Sequence, residues 1–335
     1  MLSLEVFIAG SIVVALNLYM LMGGADYGGG VWDLLASGPR ATRQRELIAK
    51  AIGPVWEANH VWLILAITVM FTAFPAAFST ITTFLHLPLL LMLIGVVFRG
   101  SAFAFRSYDP HNERSGPTWG LVFSISSLLT PILLGISLGT IASGRLGGTP
   151  AYFREAYVDP WLAPFPLAVG LFALALFAFL AAVYLTLETL DRDLREDFRL
   201  RSLAAGAFVG IMALVVFLLA ENGAPALRAR MVGSPWTVPL QVATAIAALV
   251  AYGALWKRRF LVARYAVIVQ ASLILWGWAM AQFPNLIMPN VTIQGTAGPE
   301  ATLQLLAVAL IAGVVLLLPS FAYLLRVFKS GLPEQ

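Results

Sequence analysis

Asp26, Glu57, His60 and Arg99 are ionisable residues set inside long apolar runs of the sequence. A charge in the middle of a bilayer costs about 2.5–3.5 kcal/mol on insertion scales, so such residues mark binding, proton transfer or helix pairing. Asp33, His86, Glu188 and Glu221 also fall within or at the ends of such runs. Glu57 and His60 are three residues apart and share a helix face. A carboxylate beside an imidazole in a poorly hydrated site can hand a proton along, so both are candidates for a proton path. A polar pair that holds helices together is the plainer alternative. Glu-x-x-His is also the spacing of di-iron bundles, but those need two such pairs and further carboxylates, and this sequence has one. No metal site is therefore expected.

Asp26 stands in Gly23-Gly24-Ala25-Asp26-Tyr27-Gly28-Gly29-Gly30. Small residues let helix backbones approach closely in lipid. Asp26 is then either a hydrogen-bonded group at a tight helix crossing or a group facing a cofactor, a quinone or Arg99. The residues alone leave both readings open. Trp56 and Trp62 lie well inside their run rather than at its ends, so they are not interface anchors, and Pro54 is placed to kink the helix. His86, in Phe84-Leu85-His86-Leu87-Pro88, reads as a core histidine with its hydrogen bonds satisfied. His111 falls in a loop. With no cysteine and three histidines, the chain has too few ligands to hold several haems, and disulfides and thiolate metal sites are excluded.

The elements that must carry these residues are membrane spans. Of the 335 residues, 60% are hydrophobic and 11% charged, and the mean hydropathy is +0.85. Soluble domains carry roughly 25% charged residues. A span needs about 20 mostly apolar residues, and apolar runs place spans near 5–36, 45–74, 79–106, 117–143, 160–189, 202–221, 237–256, 260–283 and 302–327. The fold class is all-α: a polytopic membrane protein of about nine transmembrane helices. No cleavable signal peptide is evident, because the first run lacks a preceding basic region and continues into glycines.

Charge follows topology. Arg40, Arg43, Arg45 and Lys50 follow the first span, and Arg106 and Arg114 the third. Arg192, Arg195, Arg199 and Arg201 follow the fifth. Lys257, Arg258, Arg259 and Arg264 surround the turn after the seventh, and Arg326 and Lys329 follow the ninth. That places sixteen of the 21 basic residues on one side, against Arg145, Arg154, Arg228 and Arg230 on the other. Positive charge stays cytoplasmic, so the N-terminus is expected outside and the C-terminus inside a plasma (inner) membrane. The basic balance is an orientation signal and gives no reason to expect nucleic acid as a partner. The chain reads as one transmembrane domain, 1–335. The polar loop 190–201 suggests halves 1–144 and 160–283, two four-helix bundles with a peripheral helix at 302–327.

Three segments together resemble subunit II of cytochrome bd ubiquinol oxidases. They are Gly24-Ala25-Asp26-Tyr27-Gly28; Pro54-Val55-Trp56-Glu57-Ala58-Asn59-His60-Val61-Trp62-Leu63; and Phe98-Arg99-Gly100 followed by Phe103, Phe105 and Arg106. Gly277-Trp278-Ala279-Met280-Ala281-Gln282-Phe283-Pro284, continuing to Pro289, is similar to the end of that family's eighth span. The segment Trp56–Trp62 resembles the cyanide-insensitive branch. The resemblance implies a heterodimer with subunit I, which holds haems b558, b595 and d, while this chain ligates none. The complex would oxidise quinol, reduce O2 to water in a four-electron reaction and build a proton gradient. In some members subunit II holds a structural quinone, and small accessory subunits join the complex.

On this resemblance Glu57 matches an intramembrane acid of a proton path and Trp62 a residue near an oxygen entrance. Asp26 and Arg99 match polar positions near the haem d region, a quinone or the subunit interface. His60 matches a position that is Gln in some members, which weakens an essential role for the imidazole. Outside the resemblance, glycine- and proline-interrupted spans with midplane charges also fit a secondary transporter. A third reading makes the chain a scaffold for subunit I alone.

Overall fold

The structure is a computed structural model that describes residues 3–53, 56–108, 116–147 and 152–329. The helices are α1 (Leu4–Leu34), α2 (Ala41–Ile52), α3 (Trp56–Ala73), α4 (Pro75–Phe84), α5 (His86–Tyr108), α6 (Gly116–Ser143), α7 (Phe153–Tyr157), α8 (Pro164–Leu185), α9 (Arg192–Gly223), α10 (Pro225–Gly233), α11 (Thr237–Trp256) and α12 (Phe260–Gln282). A two-stranded antiparallel hairpin follows, β1 (Asn285–Ile287) and β2 (Val291–Thr292), then α13 (Ile293–Thr296) and α14 (Glu300–Lys329). Eight described helices are long and apolar enough to span a membrane, and α2 with α3 makes a ninth if that bent pair is counted as one span. The chain is an all-α multi-span membrane protein.

Two expected spans are interrupted. The run 45–74 is split into α2 and α3, bent by 53°. Pro54, the expected kink, lies with Val55 outside the described residues, as do His111 and Arg114. The run 79–106 is split at Leu85, where α4 ends and α5 begins. A proline within the first turn starts α4, α8 and α10, where its missing N–H costs nothing. Asp191 caps α9 by accepting from the backbone N–H groups of Asp193 and Leu194.

The centre of the bundle is set by glycine. A Cβ at Gly28 on α1 would stand 2.0 Å from the carbonyl oxygen of Phe177 on α8. At Gly135 on α6 it would meet the Val169 carbonyl oxygen and the Gly170 Cα at 2.7 and 2.8 Å. Those missing side chains bring α1 and α6 onto α8, backbone to backbone. Helices α3, α5, α9, α11 and α12 pack outside this trio, and α14, the most exposed span, leans on α1 and α3.

At the arginine-rich end, polar residues tie successive loops together. Asp197 accepts from Arg40 Nε and Nη2 at 2.8 and 2.6 Å and from Gln44 Nε2 at 2.8 Å. Arg201 donates to Gln44 Oε1 at 2.8 Å, and Arg43 pairs with Asp191. The 32 residues of α9 extend about 48 Å against about 30 Å of hydrocarbon, so its polar start, residues 192–201, projects into water. There Arg40 above all holds the Asp197 carboxyl below its ordinary value. The stabilisation is complete above the usual carboxylate pKa and fades only as pH falls through the lowered one.

Candidate functional site

A polar cluster sits where α1, α3, α5, α6 and α8 meet. Its centre is Arg99 on α5, only 2% exposed. The guanidinium Cζ lies 4.7 Å from the Tyr27 ring centroid and 5.1 Å from that of Phe123. Arg99 Nε donates to Ser127 Oγ at 3.1 Å, and Ser127 donates onward to the Phe123 carbonyl at 2.7 Å. Ser127 can stand so near α1 because residue 30 is glycine, where a Cβ would fall 2.2 Å from the serine side chain. Arg99 Nη2 is buried and makes no hydrogen bond among the described residues.

Around the arginine are two tyrosines, an imidazole and an acid. The Tyr19 hydroxyl donates to the Tyr27 hydroxyl at 3.3 Å, and both residues are buried on one face of α1. The His60 ring lies 6.0 Å from Tyr19 and 6.2 Å from Tyr27, edge-on to the latter. Asp26, also buried, accepts from Asn59 Nδ2 at 2.5 Å. Phe177 stacks on Tyr27 at 6.5 Å and closes the cluster from α8.

The structure thus brings Asp26, His60 and Arg99 together and sets Glu57 apart. Each residue turns a helix by about 100°. On α3, Asn59, Trp62, Ala66 and Val69 fall on the buried face, while Glu57 shares the exposed face with Val61, Ile64 and Phe71. His60 lies at the margin between the faces and reaches inward. Because α3 begins at Trp56, Glu57 occupies its first turn, where a carboxylate suits the helix dipole. Trp62 is 6% exposed and joins the main apolar core.

The remaining flagged residues lie away from the cluster. Contrary to expectation, His86 is no core histidine. It is exposed at the head of α5, with Nδ1 against the Thr83 carbonyl at 2.8 Å and its ring edge-on to Tyr157. Asp33 is buried and paired with Arg106. Glu188 falls in the turn after α8, and Glu221, exposed at the end of α9, pairs with Arg228 at 2.7 Å.

Sequence reasoning had not singled out Tyr19, Asn59 or Ser127. Two signals were present: tyrosines eight apart, close to two helical turns, and Ser124 and Ser127 three apart in an apolar helix. Among the described residues no group of three or more His, Asp or Glu converges as a metal site. Of the described histidines, His60 packs its ring on Tyr19 and Tyr27, and His86 sets Nδ1 against the Thr83 carbonyl.

Comparisons with known proteins bear on this cluster. The family model for cytochrome bd terminal oxidase subunit II matches residues 4–328. The Escherichia coli K12 cytochrome bd-I ubiquinol oxidase subunit 2 is 27% identical over 185 residues, 54% of this chain and 47% of that protein. The aligned part thus spans about half the length of that relative. The Bacillus subtilis cytochrome bd ubiquinol oxidase subunit 2 is 33% identical over 101 residues, 30% of each chain. In the solved structures, a chain of the bd oxidase from Geobacillus thermodenitrificans shares the fold, with a TM-score of 0.80, 23% identity, and coverage of 98% of this chain and 99% of that one.

Proposed function

The chain belongs to the cytochrome bd terminal oxidase subunit II family, and from that premise we propose that it is the haem-free membrane subunit of a quinol oxidase. With a haem-bearing subunit I it would support quinol oxidation coupled to four-electron reduction of O2 to water. The observation that carries this reading is the family match along 4–328, which includes every residue of the buried Arg99 cluster. Membership in this family implies a partner subunit and a haem-dependent complex. By the resemblance to the family, haems b558, b595 and d are assigned to subunit I, and the supply of three histidines and no cysteine in this chain agrees with that assignment. A structural quinone and small accessory subunits remain part of the proposal. A tagged copy of this chain, purified from membranes, is expected to bring down a second subunit with visible haem absorbance. After the two are separated, the absorbance should stay with the partner. A haem that stays with this chain, or purification without any haem-bearing partner, would overturn the assignment.

The organisation into halves 1–144 and 160–283 with a peripheral helix is supported by recurring neighbours. Helix α1 packs on α3 and α6 as α8 packs on α9 and α12, and α5 packs on α6 as α11 packs on α12. The proposed site is an inner membrane, with the N-terminus outside. The charge asymmetry supports that orientation, so a reporter fused after Gln335 should behave as cytoplasmic. A reporter active only in the periplasm would reverse the assignment.

Glu57 and His60 are assigned to proton delivery. The acid lies in the first turn of α3, beside the basic end of the bundle, and His60, one turn deeper, leads to the Tyr19–Tyr27 pair. Glu57→Gln should assemble with its haems and turn over about tenfold more slowly, less than a full acid–base loss because water can bypass one station. Glu57→Asp should retain more activity. Parental turnover of Glu57→Gln across the pH range would rule the relay out. Trp62 is assigned to the oxygen path, since it lies in the apolar core where a small apolar gas can move between side chains. Asp26 and Arg99 are assigned to support of the haem d region or a quinone.

A further inference from the structure

A second polar site lies at the basic end of the bundle, separate from the Arg99 cluster. A cavity of about 330 Å³ is lined by Asp33 and Leu34 at the end of α1, Arg45 on α2, Arg106 near the end of α5, and Gly120, Leu121 and Ser124 on α6. Its polar wall is built. Asp33 is 4% exposed. Its two oxygens accept from Arg106 Nη1 at 3.1 and 3.2 Å, and Oδ2 also accepts from Ser124 Oγ at 3.1 Å. Arg45 directs Nε to the Asp33 carbonyl and Nη2 to the Ala36 carbonyl, both at 3.3 Å. Those carbonyls orient the guanidinium without neutralising it. Among the described lining residues, two cations and one carboxylate leave one positive charge in excess.

The mouth is apolar. Leu34 and Leu121 are 38% and 52% exposed, and Leu35 beside them is 54% exposed. Gly120 adds no bulk, since a Cβ there would meet nothing within 4 Å. A half-enclosed cationic wall above exposed leucines at a span end has the chemistry of a headgroup pocket. We propose that this cavity binds the phosphate of an anionic phospholipid, with Arg45 and Arg106 facing the headgroup and the acyl chains running down past Leu34 and Leu121. Free phosphate would satisfy the cations but leave the leucine-lined mouth unused, and a zwitterionic lipid would add a cation of its own where the wall is already positive.

The test is retention of labelled phosphatidylglycerol by the full-length chain purified with its partner, in detergent, against excess competitor. Excess unlabelled phosphatidylglycerol should displace the label, while phosphatidylcholine and inorganic phosphate at equal concentration should not. Arg45→Gln should weaken retention by about fivefold, the worth of one basic residue near a membrane surface. Gly120→Leu fills the cavity without touching the Asp33–Arg106 pair, and should lose the label at least as strongly. It decides the matter should Arg45→Gln fail to assemble. Displacement by phosphatidylcholine would overturn the proposal, and displacement by inorganic phosphate would reduce the site to a simple anion pocket. Full retention by Gly120→Leu would place the lipid elsewhere.

Discussion

Adding a single methyl group at Gly28 is expected to abolish stable assembly. The new Cβ would fall 2.0 Å from the Phe177 carbonyl oxygen and 2.5 Å from its carbonyl carbon. Side chains can rotate away from an intruder, but here the obstacle is the backbone of α8. The only relief is to separate α1 from α8, which also lifts Tyr27 off Phe177 and loosens the Arg99 cluster. Overpacking usually costs 1–3 kcal/mol where side chains can yield, so a backbone obstacle should cost about 3 kcal/mol or more. Gly10→Ala on the same helix is the control, because a Cβ there meets nothing within 4 Å, and alanine is the better helix former. Thermal unfolding of the two variants, read by retention of assembled complex, should separate them widely. Equal stability would mean that α1 and α8 do not cross at this glycine.

Arg99→Met should be nearly as damaging, for an electrostatic reason. Methionine fills much of the volume but removes the contacts with the Tyr27 and Phe123 rings and the hydrogen bond to Ser127. It also leaves Asp26, a buried acid of the same cluster held by Asn59, in a site that has lost its cation. Removing one member of a buried charged group costs about 3–5 kcal/mol, because the charge left behind is not repaid. Asp26→Asn in the Arg99→Met background should therefore recover part of the loss. The coupling in a double-mutant cycle is expected to be about 1–3 kcal/mol. Additive losses would show that the two groups stabilise the bundle independently.

The parts of this fold legible in the sequence were those that the bilayer itself enforces. Spans follow from apolar length. Asp26 and Arg99 were legible as members of a buried polar cluster because a charge inside an apolar run is expensive wherever it points. Facing is different. Glu57 and His60 share a helix side by spacing, yet the packing of α3 against α1 turns Asn59 inward and leaves Glu57 on the exposed face. No property of residues 57–60 alone sets that rotation. The break at Leu85 was equally hidden, since Phe84, Leu85 and Leu87 keep the run apolar across it. Ser127 joins the site only because Gly30 on another helix leaves room for it, a pairing that exists only in three dimensions. His86 was misplaced for the same reason, since the helix it was assigned to starts at that residue.

The central claim is that this chain works as part of a quinol:O2 oxidoreductase, and oxygen uptake by the purified complex tests it most directly. With the chain tagged and its partner retained, adding a quinol should start oxygen consumption, with water as the product. Preparations carrying Arg99→Met should consume oxygen only in proportion to the complex that survives assembly. A haem-free preparation that consumes no oxygen on quinol addition, yet moves a solute across a vesicle membrane, would contradict the claim and favour a transporter.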